Sequence, residues 1–161
     1  MQEKRKVYVG IDPSLSCTGV VILYNNCNNC DVFTIKTKAK ENPDCRINQI
    51  LVEVCKIIDL LRFIYDVYVV IEGLSFYSAT NTGLQLAGLN YVLRNYFLRN
   101  QINYYILPPT SLKKYITGNG RANKKEVIEA VNKRWNFNSK NDNECDAFGL
   151  AKYCQEKFGD I

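Results

Sequence analysis

Short apolar runs broken by turn residues occupy the first third of the chain. Val7-Tyr8-Val9-Gly10-Ile11 alternates and then stops at Asp12-Pro13, which predicts a first strand cut off by proline. Gly19 to Tyr24 and Asp31 to Ile35 predict second and third strands, joined by an Asn/Cys-rich turn at 25–30 into an antiparallel meander. From Arg46 to Phe63 the spacing changes: Ile47, Ile50, Leu51, Val54, Ile57, Ile58 and Leu61 recur as on one face of a helix. Val67-Tyr68-Val69-Val70-Ile71 lacks polar alternation, as a central strand buried on both faces does, and it ends in Glu72-Gly73. A second helix follows over Thr82 to Arg99, then a short strand from Tyr104 to Leu107 stopped by Pro108-Pro109. Thr110 to Asn123, with Gly118 and Gly120, reads as a loop, and helices are predicted over Lys124–Trp135 and Asp142–Lys157. The order β-β-β-α-β-α-β-α-α predicts an α/β fold, a mixed five-stranded sheet with helices on both faces, in a single domain over residues 1–161.

Composition narrows the chemistry. The chain of 161 residues has no histidine, which excludes Ser-His-Asp and Cys-His catalysis and histidine metal ligands. Seven irregularly spaced cysteines suit free thiols in a reducing compartment. Cys27-Asn-Asn-Cys30 has no second CxxC to complete a zinc site and reads as a turn between strands, with structural zinc as the alternative. No apolar run approaches the roughly 18–20 residues that span a bilayer, and MQEKRK is not a signal-peptide start. A cytoplasmic protein is therefore expected. Net charge is only +5, but eight basic residues lie between Thr110 and Lys140 against Glu126 and Glu129. Such a local surplus is either a phosphate-binding footprint or a solvated surface.

Asp12 and Glu72 each close an apolar strand. If those strands are parallel neighbours, about 4.8 Å apart, both carboxylates emerge at the carboxyl edge where open α/β sheets place ligands. The alternative is that each is only a polar strand terminus. On the last helix, Ala147, Leu150, Ala151, Cys154 and Phe158 form one apolar arc with Asp146 on its margin. Asp142 lies about 40° around from Asp146, and Asn143 about 60° on the other side, while Glu144 points elsewhere. Asp142 has a second reading as the N-cap of this helix. Gathered together, Asp12, Glu72, Asp142 and Asp146 cannot all ionise without cations. All-oxygen ligation suits Mg²⁺ or Mn²⁺, and two such ions about 4 Å apart clamp both oxygens of a phosphodiester displacement.

These residues resemble a known family. Gly10-Ile11-Asp12-Pro13-Ser14, Thr18-Gly19, Ile71-Glu72-Gly73, Lys113, Gly118-Asn119-Gly120, Lys124 and Asp146-Ala147, in this order over nearly the whole chain, are similar to RuvC-type Holliday junction resolvases, in a phage-like variant. The resemblance implies an RNase H-like fold, a homodimer and a four-way DNA junction as partner, with one metal-dependent nick per subunit and two ions per active site. It implies no small-molecule cofactor. It makes Asp12, Glu72 and Asp146 metal-binding catalytic acids and Lys113 and Lys124 functional lysines. The family's remaining acid falls at Asn143 here, and Asp142, on a compatible helical face, is expected to replace it. Phe76 or Tyr77 corresponds to an aromatic that stacks on a junction base, or else is a core residue. Lys114, Arg121 and Lys125 join Lys113 and Lys124 as expected DNA contacts. The apolar residues Leu84, Leu86, Leu89, Tyr91, Leu93 and Phe97 surround much of the second helix, so part of that surface is expected at the dimer interface. Other readings of the same residues are an RNase H-like nuclease acting on flaps, branched DNA or RNA–DNA hybrids, and a junction-binding protein without catalysis. An actin- or Hsp70-type ATPase needs two such domains and is excluded by length.

Overall fold

The computed structural model describes residues 4–25, 29–75 and 80–159. In chain order the elements are β1 (Arg5–Asp12), β2 (Cys17–Tyr24), β3 (Cys30–Lys36), α1 (Pro43–Ile64), β4 (Tyr65–Glu72), α2 (Asn81–Arg99), β5 (Asn103–Leu107), α3 (Pro109–Thr117), α4 (Lys124–Trp135) and α5 (Asp142–Phe158). The sheet order is β3-β2-β1-β4-β5, with β1, β2 and β3 antiparallel and β1, β4 and β5 parallel.

The two-residue period of β1 and β4 divides the core. Val7, Val9, Ile11, Val67, Val69 and Ile71 face α1 and α2, where Ile50, Val54, Ile58, Leu89, Leu93 and Phe97 cover them. Tyr8 and Val70 face the opposite side, packed with Leu112 of α3, Val127 of α4 and Leu150 and Cys154 of α5. Asp12 and Glu72 continue the second set, so both acids leave the sheet on the α5 side.

One buried cation braces the segment after β1. Arg46 donates through Nε to Thr37 Oγ1 (2.8 Å) and through Nη2 to the Leu15 carbonyl (2.9 Å). Thr18 Oγ1 donates to the Ser14 carbonyl (2.7 Å) and accepts from its amide (3.1 Å), closing the turn that follows Asp12.

The first half of the expected loop at 110–123 is instead helix α3. Pro109 sits in its first turn, where a missing N–H costs nothing, and Gly118 ends it in the left-handed conformation (φ 81°). The described cysteines are free thiols. Cys27, and with it the CxxC turn, lies outside the described residues. No helix of the described residues is long and apolar enough to cross a membrane.

Candidate active site

β1 and β4 run in parallel register with Ile11 opposite Ile71, so Asp12 and Glu72 stand side by side one residue further on. Asp12 is only 6% exposed, and its carboxyl hydrogen bonds to that of Glu72. Asp146 and Asp142 come from the first turns of α5. That helix reaches the sheet because β1 and β2 are bare where it crosses. A Cβ on Gly10 would lie 2.0 Å from the Ala147 carbonyl oxygen, and one on Gly19 would lie 2.4 Å from that of Asn143. Only glycine permits so close a backbone approach. Asn141, not Asp142, is the N-cap of α5, its side chain accepting from the Asn143 amide (3.0 Å). Asp142 is thus the first helical residue, and its carboxylate remains available to the cluster.

Electrostatics ties these four side chains together. Burial first, then the charges of Glu72 and Asp146, hold Asp12 well above the usual carboxylate range. Burial and Asp146 push Glu72 up to about 7, and burial and Asp142 push Asp146 up to about 6, with Lys113 opposing both rises. Asp12 and Glu72 are thus a coupled pair in which burial and mutual repulsion disfavour ionisation of both carboxyls. Asp142 moves the other way, below its ordinary range, because its Oδ2 accepts from Lys124 Nζ. The acids therefore confront one another with too little positive charge to ionise together. Among the described residues no three acids already converge as ligands of one ion do. Donor chemistry nevertheless fits a hard divalent cation: several carboxylate oxygens, among them a buried pair whose negative charge a cation would offset.

Comparison with known proteins adds the family. The model of the family described as crossover junction endodeoxyribonuclease RuvC matches residues 8–153. The chain belongs to the RuvC family. A RuvC crossover junction endodeoxyribonuclease of Caldicellulosiruptor saccharolyticus is 28% identical over 149 residues, covering 89% of this chain and 88% of that protein. The Thermus thermophilus RuvC structure superposes with a TM-score of 0.71 at 20% identity, covering 95% of this chain and 96% of that one. The T. thermophilus RuvC in complex with a Holliday junction substrate gives a TM-score of 0.66 at 21% identity, covering 90% of each chain. This likeness identifies the fold as RNase H-like.

Within this RuvC fold Asp12, Glu72, Asp142 and Asp146 lie near enough to act on one another electrostatically, with Lys113 acting on Glu72 and Asp146 and Lys124 bonded to Asp142. Three other expected DNA contacts stand outside that group. Lys114 and Arg121 line a shallow cleft of about 610 Å³ with Thr110, Gly118, Asn119 and Gly120. Lys125 is exposed on the first turn of α4. Phe76 and Tyr77 lie outside the described residues.

Two supporting residues carry little signal of their role in the sequence. Asn90, 2% exposed on α2, donates from Nδ2 to the Glu72 carbonyl (2.8 Å) and fixes the end of β4. A polar residue within the apolar arc of that helix was the available signal. The second is Glu144, whose side chain is engaged by hydrogen bonds from both β3 and the segment before α5.

Proposed function

We infer that this protein is a Holliday junction endonuclease of the RuvC family, hydrolysing one phosphodiester per subunit in a divalent-metal-dependent reaction. The observation that carries this reading is the cluster of four acids at the carboxyl edge of β1 and β4, flanked by two lysines. Asp12, Glu72, Asp142 and Asp146 hold the metal, Mg²⁺ or Mn²⁺, with two ions per site matching four oxygen-donor residues. When bound, the metal supplies Lewis acidity to the scissile phosphate and charge compensation to the acids. A bound cation would favour the ionised forms of Asp12 and Glu72, which burial disfavours in its absence. Lys113 faces Glu72 and Asp146 and offsets negative charge building on the phosphate oxygens. Lys124 balances Asp142 in the free protein and is positioned to turn toward DNA. Lys114, Arg121 and Lys125 extend a phosphate-binding surface from this site, and Phe76 or Tyr77 is placed by sequence just after Glu72 to stack on an unpaired base.

A homodimer completes the reading, because a two-fold junction calls for a two-fold reader. Leu84, Tyr91 and Leu98 repeat at seven-residue steps along α2 and are 66%, 59% and 67% exposed. That repeat is the spacing of a helix–helix seam.

The test is incubation of a labelled mobile four-way duplex with protein and Mg²⁺, followed by mapping of the cuts. Paired symmetrical nicks carrying 5′-phosphates are expected, and Asp12→Asn is expected to bind the junction without cutting it. Faster cleavage of flaps or RNA–DNA hybrids than of the junction would replace this substrate. Binding without nicking at any Mg²⁺ or Mn²⁺ concentration would leave a junction-binding protein.

A further inference from the structure

We propose that Glu144 is a positioning residue for the metal site, a lateral clamp that sets where Asp142 and Asp146 stand relative to Asp12 and Glu72. This inference rests on the metal-dependent reading above. Both carboxylate oxygens of Glu144 are taken by partners from two separate parts of the chain. Oε1 accepts from Thr34 Oγ1 of β3 and from Asn141 Nδ2, each at 3.2 Å. Oε2 accepts from Ser139 Oγ at 2.7 Å. Ser139 Oγ in turn accepts from the Asn141 amide (3.0 Å), and the Ser139 backbone is gripped by the Asn132 side chain of α4 (2.7 and 3.1 Å).

Helical geometry gives this anchor its meaning. Asp142 and Asp146 each lie two residues from Glu144, about 160° around the helix, so the clamp holds the back of the turn whose front carries the acids. β3 is two strands from β1 in the sheet, on the side away from β4. The bond to Thr34 therefore fixes the helix across the strands, which is the direction that changes the distance from Asp146 to the Asp12–Glu72 pair. Such a stop is needed here. Gly10 and Gly19 present no Cβ against which the first turns of α5 can lodge, so close approach comes without sideways registration. Outer partners that orient metal-binding groups typically matter about 10–100-fold in metal affinity.

Calorimetric titration with Mn²⁺ alone, without DNA, tests the clamp in the full-length protein and three variants. Glu144→Ala is expected to weaken Mn²⁺ binding about tenfold. Thr34→Val keeps the helix-cap bonds and removes only the strand bond, and a loss of about threefold is expected. Glu144→Gln, which offers an acceptor to Thr34 and Asn141 and an amide to Ser139 Oγ, is expected to return close to the parent. Metal-free junction affinity is expected to stay within about twofold in all three, because none touches the DNA-facing lysines. A lower melting temperature with parental Mn²⁺ affinity in Glu144→Ala and Thr34→Val would reduce Glu144 to an ordinary helix cap and overturn the proposal, leaving the nuclease reading intact. If Glu144→Ala does not fold, Thr34→Val decides. A parent protein that binds no Mn²⁺ would overturn the metal reading itself.

Discussion

At the scale of single residues the acids give opposite signs of pH dependence to stability and to activity. Asp12, Glu72 and Asp146 have folded pKa values above their ordinary values of 3.8, 4.5 and 3.8. The metal-free folded state therefore retains protons that the unfolded chain has lost. Their contribution to stability is complete below about pH 4 and falls as pH rises through 7. Thermal melts in EDTA between pH 4.5 and 8 are expected to decline over that window. Asp12→Asn is expected to flatten the decline and to melt above the parent at pH 8, by about 2–4 °C for each kcal/mol of strain relieved. Cleavage by the parent is expected to rise over the same window, since ionised acids take up metal, and Asp12→Asn is expected to lose at least about a thousandfold in nicking rate. Lys124 belongs to this scale too. Its side chain is 82% exposed, so the pair with Asp142 contributes little to folding. Lys124→Ala is expected to leave the melting temperature within about 1 °C while flattening the log–log salt dependence of junction binding by about one unit.

At the scale of elements, α5 decides whether a site exists, and two glycines decide whether α5 reaches it. Gly10→Ala places a methyl against helix backbone, which cannot rotate away as a side chain can. A destabilisation of about 2–4 kcal/mol in urea unfolding is expected, with loss of Mn²⁺ binding before loss of the fold. The sequence made the strands and the long helices legible because their periods differ, and Asp12 and Glu72 stood out as charges ending apolar runs. Helix α3 was not legible in the same way. Only Leu112 and Ile116 mark its apolar side, and Pro108-Pro109 signals a strand stop although proline also opens helices. The role of Glu144 is hidden for a related reason. Periodicity assigns a side chain to the face away from the acids, but it cannot register a bond to Thr34, 110 residues earlier. Asn141 was hidden by Asp142, an equally suitable capping residue one position later.

At the scale of the whole molecule, the acids and the exposed α2 stripe belong to different faces of the sheet, so the proposed dimer contact and the nicking chemistry are expected to be separable. Replacing Tyr91 and Leu98 together with glutamate is expected to give a monomer by light scattering. Such a protein is expected to retain Mn²⁺ binding while cutting junctions at single sites, without the symmetrical second nick. Unaltered mass would move the dimer contact elsewhere, to α1, where Leu60, Phe63 and Ile64 are also exposed. The fold itself, an antiparallel meander carried into a parallel pair, was readable from element order because β1 and β4 both end in acids at one edge.

The directions of β1 and α5 also govern how the protein can be handled. β1 starts at Arg5 and delivers Asp12 only after eight residues, about 26 Å of extended chain, while α5 runs the opposite way and docks Phe158 against Tyr68. Lys6 Nζ donates to the Phe158 carbonyl (3.3 Å), tying the start of β1 to the end of α5. Arg5 and Phe158 thus lie at the rim opposite the acids, and a tag, fluorophore or surface tether attached at that rim is expected to leave the acid cluster clear.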